Sequence, residues 1–263
     1  MPSGTLLAIG GAEDKANGKT ILRKFVSLAG GASARICILP TASENHGLGE
    51  RYQELFAELG VASPRVLPLY LPEEADDPVS AEILGHATGV FLTGGDQNKI
   101  LAVLEDTLCY DTLLAAWKRG AVVGGTSAGA SALSDPMISG GSGGGLPRPG
   151  IVRIARGLGL TRQLIIDQHF RERDRLGRLI AAVALTHRAF GLGIDEDTAA
   201  IISPAGSLEV IGKGTVTIVD GRKLSMSPPG ETEDETVRLA LANVLIHSLR
   251  SAQRFDLRRG TIQ

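Results

Sequence analysis

Cysteine is nearly missing from this chain: two residues, Cys37 and Cys109, in 263. Both sit beside apolar neighbours, and no C-x-x-C or Cys/His pairing occurs. A disulfide framework or a zinc site is therefore not expected, and the two read as small buried thiols. Long apolar runs are also missing. Nowhere do 18 apolar residues follow one another, so no membrane-spanning helix is expected. The opening MPSGTLLAIGG lacks a basic segment and has only a short apolar run, so it does not read as a secretory signal. The expectation is a cytoplasmic protein with no membrane partner. Charge of one sign is missing too: 27 Lys and Arg against 29 Asp and Glu give a net charge of −2. That balance carries no footprint for nucleic acid.

Glycine is abundant, at 34 of 263 residues, about twice the usual share of roughly 7%. Short apolar runs end in these glycines or in polar turns. Leu6–Ile9 precedes Gly10-Gly11, Ile36–Leu39 precedes Pro40-Thr41, and Val90–Leu92 precedes Thr93-Gly94-Gly95-Asp96. Ala121–Val123 precedes GGTSAGAS, Leu164–Ile166 precedes Asp167-Gln168-His169, and Val66–Leu69 is a weaker run. Runs this short, apolar on both faces, predict strands buried between helical layers. Between them, apolar residues recur at helical spacing over Lys19–Leu28, Gly49–Leu59, Ile100–Trp117 and Leu176–Leu185. Alternating strands and helices predict an α/β fold with a mostly parallel sheet covered on both faces, whose site lies at the carboxyl ends of the strands.

After Phe190, the short runs 192–196, 199–202, 208–211 and 215–219 read as an antiparallel extension of that sheet. Ser225–Asp234 reads as an exposed loop. Ser139–Gly150, SGGSGGGLPRPG, reads either as a linker or as a mobile loop edging the cleft. With no internal repeat or clear boundary, residues 1–263 read as one domain.

Gly125-Thr126-Ser127-Ala128-Gly129 fits G-x-S-x-G, a turn that exposes a nucleophilic hydroxyl between a strand and a helix. Small neighbours let the two flanking elements approach, and the next backbone N–H, that of Ala128, can face a developing oxyanion. A nucleophilic Ser needs a base. His46, His86, His187 and His247 lie in loops, helical patterns or near the C-terminal end, whereas His169 follows a buried run at the edge where Ser127 falls. The base needs an acid to orient it, and Asp195, Glu196 or Asp197 can serve. The order Ser, His, acid differs from the Ser, acid, His of α/β-hydrolases.

With these residues assembled, GGTSAGAS, FLTGGDQ (91–97), DQHF (167–170), R-x-R-L-G-R-L (173–179), GIDEDTA (193–199) and AIGGAEDK (8–15) together resemble the cyanophycinases. These belong to the serine peptidase family that also holds aspartyl dipeptidase E. The resemblance runs from about residue 4 to the C-terminus. It implies a three-layer sandwich of the class I glutamine-amidotransferase type, usually homodimeric. It implies Ser127 as nucleophile, His169 as base, Glu196 as acid, and Gly95 with Ala128 as oxyanion donors. The implied substrate is cyanophycin, a polyaspartate with arginine on each side-chain carboxyl, and the product is the β-Asp-Arg dipeptide, with no cofactor or metal. For such a substrate Arg173, Arg175 and Arg178 can meet carboxylates bidentately. Asp167 and Gln168 can meet the substrate guanidinium, and Gln97 resembles a pocket residue of the family. The alternative within the family is cleavage of N-terminal Asp dipeptides. A glutamine amidotransferase is disfavoured because its nucleophile is Cys.

Overall fold

In the computed structural model, which describes residues 4–227 and 238–263, the first apolar run becomes the centre of a nine-stranded sheet. Leu6–Ile9 pairs in parallel with Val122–Thr126, which is followed outward by Gly89–Leu92, Ile36–Leu39 and Arg65–Val66, all parallel. On its other side it pairs antiparallel with Thr198–Ile202, then Ser207–Gly212, Arg254–Asp256 and Thr261–Ile262.

The alternation of side chains explains why the central runs are apolar throughout. Leu7 and Ile9 pack with the Thr20–Leu28 and Leu48–Glu58 helices in a cluster that includes Phe25, Phe56, Phe91 and Tyr52. Leu6 and Ala8 join the opposite cluster, with the Gln97–Leu104 and Leu108–Lys118 helices. The first cluster holds much of the chain's aromatic surface: the Phe25, Phe56 and Phe91 rings lie 5.3–5.5 Å apart.

Three expectations are corrected. The helical pattern 100–117 is two helices, because Asp106 takes φ 60 and Thr107 starts a new helix by accepting from the Tyr110 N–H. The late strands do not all extend the main sheet. Phe190–Ile194 and Thr215–Asp220 enter a second, four-stranded sheet with Leu245–Arg250 and Leu164–Gln168. Within it, Leu164–Gln168 runs parallel to Phe190–Ile194. The reason is packing: one face of this second sheet joins the main core, and the other is covered by the Leu176–Thr186 helix. Gly191 admits Leu179 and Val183 of that helix; a Cβ there would lie 2.6 Å from Val183. Third, Ser225–Met226 is a short strand paired with Leu241–Ala242, while positions 228–234 of the expected loop lie outside the described residues.

Cys37 and Cys109 are 3% and 0% exposed, and burial pushes both thiols up to about 11. Thiolate, the reactive form, is then scarce near neutral pH. A thiol-reactive disulfide dye at pH 8 should titrate no thiol in the native protein and two in denaturant; fast native reaction of either would contradict their burial.

Candidate active site

The strand Val122–Thr126 is fully buried and ends where Ser127 adopts φ 52, ψ −111, a conformation few side chains tolerate. Gly125 and Gly129 make this turn possible: a Cβ on Gly125 would lie 2.3 Å from the Gly129 carbonyl oxygen. The hydroxyl is thus held between the strand and the short Ala128–Ala132 helix. At the head of that helix, the Ala128 N–H has no intrahelical acceptor.

The second sheet delivers the base. Leu164–Gln168 ends in His169, which takes φ 45 and turns its ring back over the first sheet. Ser127 Oγ lies 2.9 Å from His169 Nε2, and His169 Nδ1 lies 2.5 Å from Glu196 Oε1. Of the other histidines, His46 packs on Tyr70, His86 and His187 end helices, and His247 packs on Phe255. Among the described histidines only His169 reaches Ser127.

The three consecutive acids part company here. Asp195 is buried, accepting from the Thr215 N–H at 2.9 Å, the Thr215 hydroxyl at 2.8 Å and the Arg171 N–H. Asp197 pairs with Lys213 at 2.8 Å and accepts from the Asp14 N–H. Glu196 alone meets the imidazole, with its side chain 37% exposed. A carboxylate on Nδ1 fixes the tautomer that leaves Nε2 free to take the Ser127 proton.

The Thr93–Asp96 turn runs past the hydroxyl. A Cβ on Gly94 would lie 3.4 Å from Ser127 Cβ, and Gly95, at φ 143, is forced to lack one because it would collide with the Ala42 carbonyl. This places the Gly94 backbone beside the nucleophile, with Gly95 next in the chain, on a segment distinct from that of Ala128.

The expected substrate contacts are distributed differently from the charge pattern. Asp167 is 0% exposed and takes a bidentate pair from Arg178, Nε to Oδ2 at 2.7 Å and an Nη to Oδ1 at 2.5 Å. Arg175 stands 3.4 Å from the same carboxylate and donates to the Gln168 carbonyl. Its burial pulls the guanidinium down to about 10, still charged at neutral pH. Asp167, Arg175 and Arg178 are therefore satisfied largely by one another, whereas the resemblance implied that they face substrate. Their effect is to lock the end of the strand that carries His169. Among the described residues Arg175 Nε has no partner, and the exposed Arg173 has no paired carboxylate. Gln97 donates to the Ile138 carbonyl at 2.8 Å, whereas Gln168 Oε1 stands 3.3 Å from Ser127 Oγ, inside the site. The glycine-rich stretch is drawn against the arginine segment: Gly144 N–H donates to the Asp174 carbonyl at 2.6 Å.

Removing one member of a buried ion pair strands the other, at about 3–5 kcal/mol. Asp167→Ala should therefore lower the melting temperature by roughly 10 °C for a chain of this size; a thermal scan within about 2 °C of wild type would contradict the role of the pair.

A family model described as "Peptidase family S51" matches residues 6–208. The chain is 42% identical over 254 residues to the cyanophycinase of Geminocystis herdmanii, covering 96% of this chain and 93% of that one. It is 41% identical over 262 residues to the cyanophycinase of Trichormus variabilis, covering 98% and 87%. Among solved structures, a peptidase from an acI-B1 Actinobacterium superposes with a TM-score of 0.74 at 20% identity, over 97% of both chains. A putative peptidase E protein from Listeria monocytogenes superposes at 0.52 and 18% identity, over 80% of this chain and 98% of that one. These structures share a mixed α/β fold with a large central sheet.

Proposed function

The chain belongs to peptidase family S51, and on that premise we propose that it is a serine-type hydrolase that degrades cyanophycin to β-Asp-Arg dipeptides. The observation that carries the reading is the unbroken chain of short contacts, Ser127 Oγ to His169 at 2.9 Å and His169 to Glu196 at 2.5 Å.

The reaction is acyl transfer. His169 Nε2 takes the hydroxyl proton as Ser127 Oγ bonds to a main-chain aspartyl carbonyl carbon. The carbonyl oxygen becomes an oxyanion facing the Gly95 and Ala128 N–H groups. As the C–N bond breaks, His169 returns the proton to the leaving amine. A water, deprotonated by the same imidazole, then hydrolyses the acyl-enzyme. Glu196 stabilises the imidazolium at each stage.

Each repeat unit of the polymer carries a guanidinium and a free carboxylate. Arg173, with its exposed guanidinium, suits the carboxylate, and the Gln168 amide beside Oγ suits a polar group of the scissile unit. Arg175, Arg178, Asp167 and Gln97 shape the wall behind. The same reading includes a class I glutamine-amidotransferase-like sandwich acting as one domain, a homodimer and a cytoplasmic setting. Presented with washed cyanophycin and with Asp-X dipeptides, the enzyme should release β-Asp-Arg from the polymer and leave the dipeptides largely untouched. The reverse preference would assign it instead to dipeptide cleavage of the peptidase E kind.

A further inference from the structure

Three successive carbonyls at the end of the Leu6–Ile9 strand hold the backbone around all three members of the site. The Ser127 N–H donates to the Ile9 carbonyl at 3.0 Å, the His169 N–H to the Gly10 carbonyl at 2.7 Å, and the Asp197 N–H, next to Glu196, to the Gly11 carbonyl at 2.9 Å. Gly11, at φ 100, packs against the imidazole, and a Cβ there would stand 2.4 Å from the ring. Asp14 closes the segment by donating its N–H to Asp197 Oδ1 at 2.8 Å.

Within this segment Glu13 is buried, 3% exposed, and takes no part in the reaction scheme. Its Oε2 accepts from the Thr126 hydroxyl at 2.6 Å, on the residue preceding the nucleophile. Its Oε1 accepts from the Tyr52 hydroxyl, on the Leu48–Glu58 helix, and from Lys15 Nζ at 2.9 Å. Burial pushes this carboxyl up, but the Lys15 charge and the two hydroxyls outweigh it and hold it below the usual carboxylate range. A buried carboxylate with three donors is a costly way to gain stability, since apolar residues of similar volume fill such a space as well or better. Two of these donors, Tyr52 and Thr126, come from distant parts of the chain, and their convergence on one carboxylate instead fixes a position.

We propose that residues 9–14 form a positioning frame for the triad, and that Glu13 is a positioning residue that acts on Ser127 through Thr126. The strained Ser127 turn needs such external fixation, because its backbone would relax toward a commoner conformation if the preceding residue were free. A displacement of about 1 Å between reacting groups is enough for a loss on the order of 100-fold.

This inference rests on the reading of Ser127, His169 and Glu196 as the triad, and its test can fail with that reading intact. The variants are Glu13→Gln, Thr126→Val, which keeps the shape and deletes the donor, Thr126→Ser, which keeps the donor, and Tyr52→Phe, which loosens Glu13 from the helix side. Each is assayed on a soluble cyanophycin oligomer, with rates normalised to the folded fraction measured by circular dichroism. Glu13→Gln and Thr126→Val should each lower kcat by about 10–100-fold with KM within about twofold. Thr126→Ser should return kcat to within about threefold of wild type, and Glu13→Gln with Thr126→Val together should lose no more than the worse single variant. Should Glu13→Gln fail to fold, Thr126→Val against Thr126→Ser and Tyr52→Phe, expected to lower kcat by about threefold or more, carry the same comparison. The proposal is overturned if the variants melt earlier yet keep wild-type kcat per folded molecule, if KM moves in place of kcat, or if the two losses multiply. Loss of turnover in Ser127→Ala with wild-type kcat in Thr126→Val would overturn the frame alone and leave the triad standing.

Discussion

Ser127→Ala removes turnover by a factor of about 10⁵–10⁶, equivalent to about 7–8 kcal/mol of transition-state stabilisation, and leaves the fold unchanged. The size follows from what the hydroxyl does. With Oγ gone no acyl-enzyme forms, and only water attack supported by the oxyanion donors and by binding remains. The fold should survive because, among the described residues, Oγ hydrogen-bonds only within the site, to His169 at 2.9 Å and Gln168 at 3.3 Å. Alanine also meets no greater crowding than serine at φ 52. The check is kcat/KM on cyanophycin beside a thermal scan. A variant within tenfold of wild type would remove Ser127 from the chemistry, whereas an early melt would assign the loss to folding.

Glu196→Gln should cost about 10³–10⁴ in kcat/KM, by analogy with neutralising the triad carboxylate of a serine protease. Glutamine preserves the shape at the 2.5 Å contact with Nδ1 but no longer stabilises the imidazolium. Its amide N–H₂ can also favour the tautomer that turns an N–H toward Ser127. The half-open setting of Glu196, with its side chain 37% exposed, places the loss toward the lower end, because solvent partly replaces the charge. Asp197→Asn, by contrast, loses the ion pair with Lys213 but keeps an oxygen to accept the Asp14 N–H, and should stay within about threefold. Kinetics of the two variants side by side decide the matter: a small loss in Glu196→Gln, or a larger one in Asp197→Asn, would mean that the orienting acid is misassigned.

How much of this was legible in the sequence depended on which side chains carry a periodic or local signal. Leu6–Ile9, Ile36–Leu39 and Gly89–Leu92 are buried on both faces, so their uninterrupted apolar character marks them as central strands. Ser127 announces itself because its strained turn demands glycine and alanine all round. Asp195, Glu196 and Asp197 are not separable that way. All three follow the same strand, and their roles diverge only because Lys213 and Thr215 arrive from the connection between the two sheets to occupy two of them. The resemblance chose Glu196, whereas periodicity had no means to do so.

Charge pattern likewise put Arg175, Arg178 and Asp167 in one neighbourhood without saying where they point. Their mutual burial depends on the Leu176–Thr186 helix lying across the second sheet. That sheet escaped the sequence because Leu164–Gln168 and Phe190–Ile194 are as apolar as strands of the main sheet, and partner choice between parallel strands is a long-range property. The carbonyls of Ile9, Gly10 and Gly11 were least visible of all. A backbone acceptor leaves no mark on residue type beyond the glycine that clears space for the imidazole.

The measurement that bears most directly on the proposed function is a time course of β-Asp-Arg release from washed, insoluble cyanophycin, run with wild type and Ser127→Ala under identical conditions. The expected result is steady accumulation of the dipeptide with wild type and none above background with the variant. Dipeptide release by Ser127→Ala near the wild-type rate, or a folded wild-type enzyme that leaves the polymer intact, would contradict it.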